Sequence, residues 1–323
     1  MSNFKKFMQK DGVSAVIVLI VLIIVMSFLS KVFLTPNNLV NVLQQVVVYA
    51  LLGAGMSIVI YTGGIDLSVG AVLALAGISC GYLMHLGCPI FLAIIVGLVL
   101  GALIGTASGF FIAYCRLQPM IATLGMLQIT RGICLTMTGG KTVTGFDPAF
   151  KWLGSGRIPG TIIPVAVIFM IVCYIIMSYI TKYRKIGRII YSIGGNEEAT
   201  RLSGINVRKY KMLAYTINGL MAAIAGIIYT SKLNSAQGIA GEGYELDAIA
   251  AAVIGGTALV GGRGSMWGTL IGAVVMGVIR NGMNLLNISS YIQQIVLGAI
   301  ILVAVLFDSF RSAGALRPKK AKE

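Results

Sequence analysis

The sequence predicts an all-α polytopic membrane protein with about ten transmembrane helices. Three observations carry that prediction. The 323 residues have a mean hydropathy of +0.92, and 57% of them are hydrophobic. Only 11% are charged, less than half of the roughly 25% usual in a soluble domain. Apolar runs of about 17–25 residues, the length that crosses a bilayer core as a helix, recur along the whole chain.

The net charge of +15 is local. Within 182–211, eight basic residues (Lys182, Arg184, Lys185, Arg188, Arg201, Arg208, Lys209, Lys211) face only Glu197 and Glu198. Lys5, Lys6 and Lys10 add charge at one end, and Arg311, Arg317, Lys319, Lys320 and Lys322 at the other. Each cluster abuts an apolar run, so the positive-inside rule accounts for the excess and no nucleic-acid partner is needed.

Taken in order, the first span is expected at about 13–31. Basic residues followed by an apolar run mimic a signal peptide, but the run is long enough to cross if tilted. No small-x-small cleavage site follows it, so an uncleaved helix is expected. The second span runs about 39–61, and Gly63-Gly-Ile-Asp-Leu-Ser-Val-Gly70 breaks it from a third ending near Met84. The turn at His85–Pro89 leads into a fourth (about 89–114), and Arg116–Pro119 into a fifth (about 119–138). A polar, glycine-rich loop at 139–160 precedes the sixth (about 161–181). After the basic segment come a seventh (about 212–231), an eighth (about 247–260), a ninth (about 266–286) and a tenth (about 291–307). The whole of 1–323 then forms one membrane domain, with a cytoplasmic loop at 182–211 and a basic cytoplasmic tail at 309–323.

Ten spans put both termini on one side, and the basic clusters assign that side to the cytoplasm. The acidic loop 232–246 falls outside. The loop 139–160 resists, since it carries Lys141, Lys151 and Arg157 against Asp147 on the outer side. A five-helix inverted repeat fits the count. The third span opens with Ile65-Asp66 and the eighth with Leu246-Asp247. The fourth carries Gly97, Gly101, Gly105 and Gly109, and the ninth Gly264, Gly268 and Gly272. Both matches pair span n with span n+5, an arrangement transporters use around a central pathway; chance likeness among glycine-rich helices is the alternative. Small residues every four positions also let helix backbones approach closely in lipid.

Enzymatic motifs fail on inspection. Gly139-Gly-Lys-Thr142 resembles the end of a P-loop, but the first required glycine falls at Leu135. Gly241-x-Gly243 and Gly262-x-Gly264 lack a third glycine, with Leu246 and Trp267 in its place. One histidine, His85, and five cysteines without a Cys-x-x-Cys pair offer no metal framework, and no cofactor is expected. Ionisable groups at membrane depth are the better clue, because each is costly unless paired or hydrated. They are Asp66, Arg131, Asp247, Arg263 and Arg280. Two readings stand for Asp66 and Asp247: each caps a helix, or each lines a pathway. On the second, Gly63, Gly64, Asp66 and Ser68 mark a discontinuous helix beside the path, and Asp247 joins them. Unwound backbone at that depth is tolerated only inside protein or along a cavity. Glu242, Glu245 and Asp247 are expected to meet an external partner or solvent. No relay of buried carboxylates or histidines leads away from Asp66, so the energy for transport must come from elsewhere.

The polar island at 194–211 suggests where. Asn196 can serve as N-cap, Glu197 and Glu198 lie in a first turn, Arg201 falls toward the end, and Gly204 suits the left-handed C′ position. Ala199 and Leu202 put a small apolar stripe on one side. A short capped helix projecting from a membrane domain is something another protein can grip.

Four motifs, in order, resemble the ribose-type permeases of bacterial ABC importers, carriers of ribose, xylose, arabinose, galactose and related sugars. They are Thr62-Gly-Gly-Ile-Asp-Leu-Ser-Val-Gly70, Pro119-Met-Ile-Ala-Thr-Leu-Gly125, Gly194–Ile205, and Tyr244–Thr257 followed by Gly261-Gly-Arg-Gly-Ser265. The likeness covers roughly 40–305. It implies a non-catalytic permease subunit in the bacterial cytoplasmic (inner) membrane, passing a monosaccharide by alternating access. It implies a homodimer with the sugar path on the two-fold axis and a cytoplasmic ABC ATPase, often two fused nucleotide domains. It also implies a periplasmic or extracellular sugar-binding protein in which the affinity resides. Asn196, Glu197, Glu198, Ala199, Arg201, Leu202, Ser203 and Gly204 match the family's ATPase-coupling helix. The family's usual Ala-Ala-Arg-Leu-Ser-Gly stands here as Ala199-Thr200-Arg201-Leu202-Ser203-Gly204, a small departure. Competing readings are a nucleoside or other small-solute permease of the same group, branched-chain amino acids included, an ion-coupled secondary carrier, and a structural or channel component.

Overall fold

A computed structural model describes residues 13–315. Thirteen helices and one two-stranded ribbon make up these residues. Helix α1 (Val13–Leu29) leads to α2 (Pro36–Tyr61), three residues earlier than the hydropathy reading, because Pro36 sits in the first turn, where a missing N–H is no loss. From Val46 to Tyr61 every residue of α2 is buried; it is the post the others pack around. Helices α3 (Val69–His85), α4 (Ile90–Ala113) and α5 (Pro119–Thr138) follow close to their predicted bounds. Gly139, at φ 57°, ends α5 in the left-handed conformation.

The predicted loop 139–160 is not structureless. It holds strand β1 (Val143–Thr144) and helix α6 (Pro148–Ser155), the latter capped by Asp147, whose Oδ1 accepts the Ala149 N–H at 2.7 Å. Strand β1 pairs antiparallel with β2 (Ser235–Ala236), with Val143 opposite Ala236. Helix α7 (Val165–Tyr183) runs into α8 (Lys185–Gly195), which hydropathy missed. Its apolar face is only Ile189, Ile190 and Ile193 with Gly187, too narrow for a window sum to register. Then come α9 (Glu197–Leu202), α10 (Val207–Leu233), α11 (Tyr244–Ile254), α12 (Met266–Leu285) and α13 (Ser290–Ala315).

Several boundaries need correcting. Helix α10 starts at Val207 rather than 212, because its first five residues carry Arg208, Lys209 and Lys211 and score as polar although they are helical. Helix α11 stops at Ile254 rather than 260. Gly255 and Gly256 follow it, Gly256 at φ 95°, and the chain stays non-helical to Ser265. Gly264 therefore lies in the turn before α12, at φ 154°, and not on the ninth helix's glycine ladder. Helix α13 continues to Ala315, so the near part of the predicted tail 309–323 is helical. Lys5, Lys6, Lys10 and the tail's last basic residues lie outside the described residues.

Among the described residues, seven helices (α2, α4, α5, α7, α10, α12, α13) are long and apolar enough to cross a membrane, and Ala15–Leu29 and α3 are shorter apolar helices. The chain is an all-α, multi-pass membrane protein. Close packing runs through the glycines. A β-carbon on Gly101 would lie 2.6 Å from the Gly219 carbonyl oxygen, one on Gly105 3.1 Å from Gly219 Cα, and one on Gly109 2.7 Å from Met212 Cα. Thus α4 lies backbone-to-backbone on α10, and α12 meets α11 in the same way at Gly268–Gly255 and Gly272–Ala251. The packing scheme itself recurs. Helix α4 contacts α3 and α10, α12 contacts α11 and α2, and α2 and α10 pack on each other. Counted as spans, 4 meets 3 and 7, and 9 meets 8 and 2.

Candidate functional site

Helix α9 is built as its residues dictate. Asn196 is extended (φ −159°, ψ 102°), and its Oδ1 accepts the Ala199 N–H at 2.9 Å. Such a cap satisfies one of the orphan donors at the helix start. The Thr200 hydroxyl donates to the Asn196 carbonyl at 2.8 Å, and Thr200 is the one buried residue of α9, at 6% exposure. Ser203 Oγ donates to the Ala199 carbonyl, and Gly204 follows at φ 78° as the left-handed C′ residue. Arg201 pairs with Glu198, its Nε donating to Oε2 at 3.0 Å. That bond holds the Glu198 carboxyl below the ordinary glutamate value. Lys211 Nζ, in the second turn of α10, reaches Glu197 Oε2 at 2.5 Å and ties the two helices together.

Among the described residues, none covers the outward face of α9. Leu202 is 76% exposed and Ala199 is exposed beside it. The element is capped at both ends and holds a leucine in solvent. Beside it lies a cleft of about 610 Å³ lined by Ile112, Arg116, Gln118, Glu197, Arg201 and Lys211. The eight residues that the sequence singled out in this segment therefore lie together on one short element.

The other predicted residues divide into two separate places. Residues 62–68 are non-helical, with Gly63 at φ 77°, so the break between α2 and α3 is real. Asp66 is 1% exposed. Its Oδ1 accepts the Ser68 N–H at 2.9 Å and the Ser68 hydroxyl at 2.6 Å, and its Oδ2 accepts from Asn218 Nδ2 at 2.9 Å. The bond from the Ser68 N–H, two residues on, makes a local turn just ahead of α3, whose N-cap position is Ser68; the bond from Asn218 ties that turn to α10. The sequence missed Asn218. Its signal is a polar amide inside an apolar run, opposite Gly55, whose missing side chain makes the room.

Asp247 is not a cap. Gly243 holds the N-cap position of α11, and Asp247 lies inside the first turn, 1% exposed, accepting from Arg280 Nη2 on α12 at 2.6 Å. The expectation that it meets solvent or an outside partner fails, because burial would strand the charge without Arg280. Glu242 is exposed, as expected, and Glu245 is partly buried. The Arg280 guanidinium also lies over the rings of Tyr49 (5.5 Å) and Tyr244 (5.7 Å), and Tyr229 packs edge-on to Tyr244. This aromatic enclosure was not foreseen. Asp66 and Asp247 thus have separate partner sets, and no hydrogen bond joins them. Arg131 donates to the carbonyls of Gly238 and Ala240 at 2.7 and 2.8 Å, pinning the loop before α11, while Arg263 is exposed in the 261–265 turn. Among the described residues no cluster of His, Cys, Asp or Glu could hold a metal ion.

Comparison with known proteins adds to this geometry. Residues 38–305 match the family described as the permease component of the branched-chain amino acid transport system. The ribose import permease protein RbsC of Escherichia coli (strain K12) is 48% identical over 299 residues, covering 91% of this chain and 92% of that protein. RbsC of Bacillus subtilis (strain 168) is 45% identical over 313 residues, covering 96% of each. The D-allose transport system permease protein AlsC of E. coli (strain K12) is 38% identical over 307 residues, covering 95% and 93%. No solved structure gives a significant match. With a family match over 38–305 and relatives nearly half identical along almost its whole length, the chain belongs to this family of transport permeases and stands among its ribose-type members.

Proposed function

We propose that the chain is the membrane-spanning permease subunit of an ATP-driven importer that passes a monosaccharide, pentose or hexose, across the bacterial cytoplasmic membrane by alternating access. Its 48% identity to a ribose permease over 91% of the chain supports the sugar, and carries the reading. The capped, solvent-facing α9 supports the energy source, since nothing in the sequence binds a nucleotide. In this reading α1, α2, α3, α4, α5, α7, α10, α11, α12 and α13 are ten spans with both termini cytoplasmic. They form two inverted halves of five, which the recurring packing scheme supports. A second copy completes the path, a cytoplasmic ATPase seats α9 through Asn196–Gly204, and an external binding protein delivers the sugar. In the same reading Gly63, Gly64, Asp66, Ser68 and Asp247 line the translocation path. ATP-driven closure of the ATPase pushes α9, and a rigid capped helix transmits that push better than a loop would.

The test is uptake of labelled ribose and allose into proteoliposomes holding the permease, its ATPase and its binding protein. Uptake is expected with internal ATP and none with a proton or sodium gradient alone. Uptake driven by an ion gradient without the ATPase would refute the reading. Leu202→Glu is expected to abolish uptake and ATPase co-purification while the permease still reaches the membrane.

A further inference from the structure

Two glycine-rich turns and the glycine end of α8, from distant parts of the chain, meet at one point directly before α9. Gly262 N donates to the Tyr61 carbonyl at 3.1 Å. A β-carbon on Gly261 would lie 2.8 Å from Gly63 N and 2.9 Å from Gly194 Cα. A β-carbon on Gly194 would collide with the Tyr61 carbonyl oxygen and Gly262 N, and one on Gly264 with the Tyr61 ring. Real β-carbons essentially never come within 3.0 Å of such atoms, so Gly194, Gly261 and Gly264 pack through bare backbone, while Gly63 is fitted by its φ of 77°. Two tyrosines close the junction. Tyr61 and Tyr191 stack with centroids 4.5 Å apart and planes at 28°, and Tyr191 Oη donates to the Gly264 carbonyl at 3.0 Å.

The three strands of this junction lead to different places. Gly194 lies on α8, two residues ahead of the Asn196 cap of α9. Gly63 opens the unwound 62–68 segment that ends in the Asp66 turn. Gly261 and Gly264 lie between α11, which carries Asp247, and α12, which carries Arg280. One rigid contact therefore connects the solvent-facing α9 with both buried carboxylate segments, one in each half of the chain. Backbone-to-backbone contact with no intervening flexible side chain passes a displacement on with little loss.

We infer that this Gly63–Gly194–Gly261 junction, clamped by Tyr61 and Tyr191, is the joint that carries movement of α9 to the 62–68 and 255–264 segments. The inference rests on α9 being the ATPase contact. Gly194 and Tyr191 are positioning residues, which act through the backbone they hold. Gly195 supplies an internal control, because a β-carbon there meets nothing within 4 Å although it is the next residue of the same helix.

The experiment compares Gly194→Ala, Gly195→Ala, Tyr191→Phe and Leu202→Glu in proteoliposomes, reading ATPase co-purification, ATP hydrolysis and uptake of labelled ribose separately. Gly194→Ala is expected to retain the ATPase and hydrolyse ATP while uptake falls tenfold or more. Gly195→Ala should transport within twofold of the parent. Tyr191→Phe, which keeps the ring stack and removes only the hydroxyl, should lower sugar moved per ATP by threefold or more. If Gly194→Ala transports like Gly195→Ala, or loses the ATPase altogether, the joint is refuted. If Gly194→Ala fails to accumulate, Tyr191→Phe decides, and an unchanged sugar-to-ATP ratio refutes the joint. Full transport by Leu202→Glu would overturn the α9 reading instead.

Discussion

Replacing Arg280 with methionine isolates the energetics of the Asp247 carboxylate. Asp247 has 2% of its side chain exposed and Arg280 24%, and their contact is a single 2.6 Å bond from Nη2 to Oδ2. Removing one member of a buried ion pair costs about 3–5 kcal/mol, because the other charge stays behind without compensation. A quarter-exposed guanidinium is partly hydrated, which points to the lower end, about 3 kcal/mol. The two tyrosine faces add back roughly 1 kcal/mol of lost cation–π attraction. Together these predict a loss of about 4 kcal/mol for Arg280→Met. The partner variant Asp247→Leu strands the arginine and should lose about 3 kcal/mol. The double variant replaces both charges with apolar groups and should recover most of the loss, since buried pairs are often matched by hydrophobic substitutes. The assay is detergent-solubilised thermal unfolding followed by tryptophan emission, with the four proteins compared as a double-mutant cycle. At about 2–4 °C per kcal/mol, the single variants should unfold on the order of 10 °C earlier. Additive losses in the double variant, or an Arg280→Met protein as stable as the parent, would refute the pairing argument.

Three further outcomes follow from the same geometry. Asn218→Leu removes the donor to Asp66 Oδ2 and leaves that oxygen buried without a partner, a loss of about 1–3 kcal/mol in the same thermal assay. Gly101→Val drives a side chain into Gly219 and Ala223 on α10 and should cost about 1–3 kcal/mol, read as a lower melting temperature and a reduced yield of folded protein. The Glu198 carboxyl, lowered by the hydrogen bond from Arg201, should titrate below the ordinary 4.5 in a carbon-detected NMR titration. Its pair with Arg201 is thus fully present above 4.5 and is lost as pH falls through the lowered value; Arg201→Gln should restore the ordinary midpoint.

Much of this was legible because membrane helices and their caps are local. Asn196, Glu198, Arg201 and Gly204 lie within nine residues, and the structure has the Asn196 cap and the C′ glycine at the predicted positions and adds a Glu198–Arg201 ion pair. The break at Gly63-Gly64 was legible for the same reason. What failed was pairing over distance. Asp247 read as an outward acid because nothing near it in sequence neutralises it, and Arg280 stands 33 residues away on another helix. Asn218 stands 152 residues from Asp66 and has no local signature beyond its polarity. Hydropathy also misplaced both ends of the irregular region, since α8 is too narrowly amphipathic and α11 too short to sum correctly.

The contrast between rigid and yielding parts suggests how so small a helix can matter. Helix α9 has six residues and buries only Thr200, so its own packing contributes little. On the proposed reading its force comes from a docked ATPase, and its direction from what it is fastened to. Glu197 fastens it to α10 through Lys211, and α10 is locked along its length to α4 by the Gly101, Gly105 and Gly109 contacts. Gly194, just ahead of that same end, fastens it to the two non-helical segments, where left-handed glycines at 63, 256, 261 and 262 leave the backbone free to turn. A push on Leu202 therefore meets an interlocked pair of helices on one side and two hinged segments on the other. The segments that can yield are those that carry Asp66 and lead to Asp247. Rotation of the 62–68 and 255–264 segments against a stationary α4–α10 pair is the motion this arrangement favours.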